Sequence, residues 1–128
     1  GAGLPAGSRG ERWAARSAAF DDERPEVAHK HRVVAELAAL ADQAGLPLAH
    51  LALAFTLEHP AVSSSIIGPR TMEQLDDLLS AADVRLDPGV LDRIDGLVPP
   101  GTTIDPVADT GWHPRWLADP SARRRSAR

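Results

Sequence analysis

The chain has no cysteine and no tyrosine, and Lys30 is the single lysine among its 128 residues. Without cysteine there is no disulfide framework, no thiolate metal site and no sulfur nucleophile. Without tyrosine no phenolic proton donor exists anywhere in the chain, and any lysine-dependent step would have to use position 30. No apolar run approaches the roughly 18 residues that mark a membrane-spanning helix. The first residues, Gly1 to Pro5, carry no basic region leading into an apolar stretch, so nothing reads as a secretory signal and the expectation is a cytoplasmic protein with no membrane partner. A net charge of -4 lacks the basic excess that binds a phosphate backbone, so nucleic acid is not an expected partner. Five histidines are present, but His29 and His31 only flank Lys30, and His50, His59 and His113 stand alone, so no metal site is expected.

What is present has the balance of a globular domain, 43% apolar and 25% charged. Residues 1–26 mix Gly, Pro, Ser, Arg and Asp around Trp13 and Phe20, and read as a loop or arm with a short helix near 11–20. From Val27 the pattern turns helical, with Val33, Val34, Leu37, Leu40, Ala41 and Ala44 on one side and Gly45 placed for a left-handed cap. A second helix is expected over 48–58, apolar on nearly every face and therefore buried, ending before Pro60. Residues 62–67 are β-prone and end at Gly68-Pro69, which predicts one strand. Thr71 and Gln74 have the capping-box spacing ahead of a third helix whose stripe is Leu75, Leu78, Leu79 and Ala82. A fourth starts at Asp87-Pro88, with Leu86 and Leu91 at the hydrophobic-staple positions. Residues 102–128 read as an irregular tail, with Trp112 and Trp116 open to packing anywhere and the closing arginines a solvated end. No repeat or linker divides the chain, so 1–128 reads as a single unit.

The segment richest in chemistry is strand, Gly68-Pro69-Arg70-Thr71, helix. A Gly-containing turn that delivers the chain to a helix N-terminus exposes backbone N–H groups and the positive end of the helix dipole to an anion. Arg70 adds a planar, bidentate phosphate ligand at that place, although a capped turn with a solvated arginine has the same pattern. Ser63, Ser64 and Ser65 read as strand residues, since no His and Asp partners accompany them for nucleophilic work.

Ala49-His50-Leu51-Ala52-Leu53-Ala54-Phe55, then His59-Pro60, then Ser65-Ile66-Ile67-Gly68-Pro69-Arg70-Thr71-Met72-Glu73-Gln74-Leu75-Asp76-Asp77 resembles the C-terminal stretch of aldo-keto reductases in order, spacing and length. The resemblance covers 33–100, and the arm and tail are of the kind that flank this stretch. It implies an α/β fold, the C-terminal part of a (β/α)₈ TIM barrel, mostly helical with one strand. On it, 62–67 would be the eighth barrel strand, 72–82 the helix after it, and the two preceding helices the outer layer between strands seven and eight. It also implies NADP(H) as cofactor, with hydride passing between it and a carbonyl or alcohol. Gly68 would let the backbone approach the cofactor, Arg70 would face the 2′-phosphate and Gln74 would reach the adenosine. Gln74 is equally open to the bland reading of a capping residue. Asp77 stands where the family usually has Glu, near the adenine or ribose, and Leu78 departs from the usual Asn.

The family's Tyr acid, its Lys and Asp partners and its orienting His belong to the N-terminal half of such a barrel. This chain, far below the roughly 250 residues of a whole barrel, is therefore expected to lack the chemistry on its own. A lone strand with two open edges implies a further partner, either the rest of a barrel or a second copy. Two other readings compete. A helix-turn-helix DNA-binding module would use the turn at 44–47, but its second helix carries no lysine or arginine. A small α-helical interaction protein would bind no nucleotide at all.

Overall fold

The computed structural model describes residues 24–104, 111 and 115–124. The expected helix near 11–20, together with Trp13, Phe20, Trp112 and His113, lies outside the described residues.

Helix α1, Pro25–Gln43, opens two residues before Val27 because Pro25 supplies a pre-set φ at the first helical position, where its missing N–H costs nothing. Its end is a full Schellman motif: Gly45 takes φ 69°, its N–H reaches the Asp42 carbonyl at 3.1 Å, and the Leu46 N–H reaches Ala41 at 2.9 Å. Pro47 blocks continuation, and the next helix, α2 (Leu48–Glu58), leaves at 93° to α1. Leu40 and Ala41 of α1 meet Leu51 and Ala54 of α2 in the core.

Helix α3 spans Met72–Ser80 and tightens into a 3₁₀ turn, Ala81–Asp83, whose Ala81 is fully buried and which packs against α2. Helix α4, Pro88–Leu97, begins as expected: Asp87 Oδ1 accepts the Gly89 N–H at 2.7 Å, and Leu86 and Leu91 are both buried as a staple. Leu86, Leu91 and Ile94 complete the cluster begun by α1 and α2, with Leu37, Leu46, Leu48, Val84 and Val90 around it.

Three expectations are corrected. Residues 62–69 form neither helix nor strand, and among the described residues there is no strand at all, so the architecture described is helical. A strand is defined by the ladder it shares with a neighbour; with no second extended segment alongside among the described residues, β-propensity alone does not produce one, and Ile66 stands 99% exposed. Second, α2 is not buried on all faces: His50, Leu51 and Ala54 face inward while Phe55 remains 42% exposed. Third, the end of the chain is not merely a solvated arm. A 3₁₀ turn, Arg115–Leu117, leads to a short helix α5, Pro120–Arg123, capped by Asp119. Arg123 makes a two-pronged contact with Asp95 of α4, Nη1 to Oδ1 at 3.1 Å and Nη2 to Oδ2 at 2.6 Å. Arg124 joins the same carboxylate and also reaches Asp92 at 2.8 Å. Burial works against the charge on Arg124, but the hydrogen bonds it donates to Asp92 and Asp95 outweigh it and raise its pKa, so the guanidinium stays charged. Nearby, the Trp116 ring meets the His59 ring edge-on at 5.5 Å between centroids.

Candidate functional site

Thr71 takes extended backbone angles, φ -133° and ψ 158°, and its hydroxyl accepts the Gln74 N–H at 3.2 Å. Gln74 Oε1 returns the bond at 2.9 Å, to the N–H of Arg70 rather than that of Thr71. This is a capping box with its return arm moved back by one residue. Its effect is to lock the backbone of Arg70 onto the first turn of α3. Both expected functional residues are thus brought together, and Gln74 does act as a capping residue.

The Arg70 side chain is exposed, and no carboxylate pairs with it among the described residues. Thr71 Oγ1 serves only the Gln74 N–H, so ordinary helix geometry leaves those of Met72 and Glu73 without an intrahelical acceptor. A cation therefore stands two residues before a positive helix end, an arrangement able to receive an anion. Glu73, in the same first turn, opposes it, since its carboxylate favours the helix end but repels an incoming anion. A Cβ added at Gly68 would meet nothing within 4 Å. The absence of a side chain there leaves the backbone open to close approach, but no packing in the structure demands a glycine.

Asp77 lies in the second turn of α3, on the side that meets α2. Its Oδ1 sits 2.9 Å from His50 Nε2, with the imidazole 11% and the carboxylate 55% exposed as side chains. Sequence reasoning treated His50 as isolated, because a pair 27 positions apart leaves no local pattern. Leu78, beside it, is half-buried. The four expected site residues therefore occupy one loop-to-helix junction: Gly68 and Arg70 on the approach, Gln74 in the cap, and Asp77 one turn further in, tied to α2. Among the described residues no three His, Asp or Glu side chains gather as metal ligands, and no single helix is long and apolar enough to cross a membrane.

This junction can hold a phosphate-bearing ligand by charge and backbone N–H groups, and Asp77 Oδ2 and the Gln74 amide offer hydrogen bonds to a nucleoside.

Residues 4–99 match the family model described as "Aldo/keto reductase family", which reaches well upstream of Val33. The chain is similar to an uncharacterized oxidoreductase, YrpG, of Bacillus subtilis (strain 168), 37% identical over 78 residues that make up 60% of this chain and 24% of the relative. It is similar to a probable voltage-gated potassium channel subunit beta of Arabidopsis thaliana, 39% identical over 69 residues, 52% of this chain and 21% of that one. A putative voltage-gated potassium channel subunit beta of Schizosaccharomyces pombe (strain 972 / ATCC 24843) is 33% identical over 98 residues, 75% of this chain and 28% of its own length. The chain thus spans about a quarter of the length of these curated relatives. No solved structure matches it.

Proposed function

Because the chain belongs to the aldo/keto reductase family, we propose that it is the nucleotide-holding C-terminal portion of an NADP(H)-dependent oxidoreductase, built on part of a (β/α)₈ barrel. The observation that carries this reading is the exposed Arg70, whose backbone the Arg70 N–H to Gln74 Oε1 bond ties to the positive end of α3. Arg70 binds the 2′-phosphate, whose two negative charges and planar oxygen pairs suit a guanidinium fork. Gly68 lets the backbone close on the ligand, and Gln74 and Asp77 orient the adenosine. When bound, the cofactor supplies a hydride for a carbonyl or accepts one from an alcohol. The residues that would move the accompanying proton do not belong to this chain, which has no tyrosine.

A titration of the chain with 2′,5′-ADP against 5′-AMP tests the assignment. Wild type is expected to favour 2′,5′-ADP at low salt, and Arg70→Ala to lose about tenfold in affinity for it, the scale of a charge-assisted hydrogen bond. Equal binding of NADP and NAD by the intact chain would remove the assignment.

The 99% exposure of Ile66 favours a companion reading, in which 62–67 pairs with further barrel strands or with a second copy of the chain. An apolar, β-prone segment this open is a template for strand addition. Sedimentation showing a monomer at every concentration, unaltered by adding the remaining part of such a barrel, would remove it.

A further inference from the structure

We propose that His50 is a positioning residue for the nucleotide site, holding Asp77, and through it the whole of α3, in the orientation that adenosine requires. The inference rests on the nucleotide reading above and deepens it. Helix α3 carries the candidate ligands, yet none of its residues is buried: Leu75 and Leu78 are half-covered, Leu79 is 55% exposed and Met72 69% exposed. A helix with no buried side chain has little apolar packing to fix its rotation. Two other restraints are on hand. At its C-terminal end Ala81, fully buried, pins the following turn against α2. Along its length the only side-chain hydrogen bond from α3 to another element among the described residues is His50 Nε2 to Asp77 Oδ1.

The chemistry of that bond is unequal at its two ends. The His50 ring is held inside α2's buried face beside Leu51 and Ala54, so its orientation is set by packing. The Asp77 carboxylate is more than half exposed and would otherwise rotate in water. With the buried ring as anchor, one carboxylate oxygen is held, while the other, Oδ2, has no hydrogen-bond partner among the described residues on a side chain 55% exposed. A carboxylate oriented in this way accepts hydrogen bonds from a ribose hydroxyl or an exocyclic amine without first losing its own rotational freedom. Aspartate has one methylene fewer than the glutamate usual at this place, so its reach is shorter and its placement depends more on the anchor.

The test is binding of 2′,5′-ADP and of inorganic pyrophosphate by the full chain and by His50→Leu, His50→Gln and Asp77→Ala. Leucine keeps the volume of the ring but donates nothing; glutamine restores an N–H donor. Affinity for 2′,5′-ADP is expected to fall about fivefold in His50→Leu and Asp77→Ala, to recover in His50→Gln, and not to fall further in the double variant His50→Leu/Asp77→Ala, because the two act as one unit. Pyrophosphate, which meets only Arg70 and the helix end, is expected to bind all of them alike. A general loss of fold would weaken both ligands together and would overturn the positioning role, as would His50→Leu binding 2′,5′-ADP like wild type. If His50→Leu does not fold, His50→Ala against His50→Gln carries the same comparison, since Asp77→Ala removes the ligand together with its anchor. Should the wild-type chain and Arg70→Ala bind 2′,5′-ADP identically, the nucleotide reading falls and this inference with it. Should Arg70→Ala lose affinity while the His50 and Asp77 variants do not, this inference falls alone.

Discussion

Replacing Asp95 by alanine should release the end of the chain from α4 without unfolding the core. Asp95 receives both prongs of Arg123 and one of Arg124, and the side chains of Asp95, Arg123 and Arg124 are 17%, 12% and 21% exposed. Hydrogen bonds to charged groups contribute about 1.5–3 kcal/mol each, and a stranded buried charge costs about 3–5 kcal/mol. That larger figure does not apply here, because both arginines belong to a terminal segment that can swing into water once released. The loss is then capped by the docking free energy of residues 115–124, and about 2 kcal/mol is the reasonable figure for a two-pronged, charge-assisted contact near the surface. Since about 1.4 kcal/mol is a factor of ten in an equilibrium, the undocked population should rise roughly thirtyfold. Trypsin reads this directly: cleavage after Arg123 and Arg124 tracks the open population when opening and closing are fast relative to cutting. Asp92→Ala is the control, since its carboxylate is 70% exposed and among the described residues pairs with Arg124 alone, so it should cost under about 1 kcal/mol. The cooperative thermal transition should stay nearly unchanged in both, because the cluster of Leu40, Leu51, Leu86, Leu91 and Ile94 contains no residue of the tail. Equal cleavage rates in Asp95→Ala and wild type, or equal effects of the two substitutions, would refute the reasoning.

Thr71→Ala removes the acceptor for the Gln74 N–H and should weaken the start of α3 by about 1 kcal/mol; with no buried residue in α3, the loss should appear as faster amide exchange at Gln74 and Leu75, and unchanged protection there would contradict it. The Asp119 carboxyl is held below its ordinary value of 3.8 by the hydroxyl and N–H of Ser121, so its capping of α5 is at full strength above 3.8 and is lost as pH falls through the lower folded value. The Ser121 amide resonance should therefore report fraying only at pH below 3.8, and fraying that begins nearer neutrality would show that another group controls it.

Helix ends were the legible part of this sequence because their rules span four or five residues. The Schellman turn at Gly45, the Asp87 cap with its Leu86–Leu91 staple, and the Thr71–Gln74 box are each set by neighbours in the chain, and each is found where its motif stands. The family, likewise, was carried by an ordered run of residues, and the match extends it to residue 4. What could not be read was anything joining distant positions. His50 to Asp77 spans 27 positions and Arg123 to Asp95 spans 28, and neither pair belongs to a repeating pattern. The charged run at the end of the chain has the composition of a solvated tail; only the ion pairs with Asp92 and Asp95 of α4 hold Arg123 and Arg124 inward. Gly68 shows the reverse, a residue singled out by motif whose backbone, in the structure, imposes no steric need for glycine.

The same division between local and distant forces explains why the candidate site is half built. Its anion-facing part, Arg70 held by Gln74 at the start of a capped helix, is closed entirely within residues 70–74 and forms whatever lies around it. The 62–67 segment is governed by the opposite rule, since strand hydrogen bonds exist only between segments, and the favourable β-propensity of Val62, Ile66 and Ile67 has no partner strand among the described residues to act through. Exposure of Ile66, Leu79 and Phe55 on the α2, α3 and 62–67 surfaces is the apolar counterpart of the same lack. On the proposed reading, α3 presents its phosphate ligands along its own axis while its rotation about that axis is held by the buried Ala81 turn and by one polar contact with α2. Affinity for the phosphate should survive a change at that contact, and discrimination among nucleosides should not.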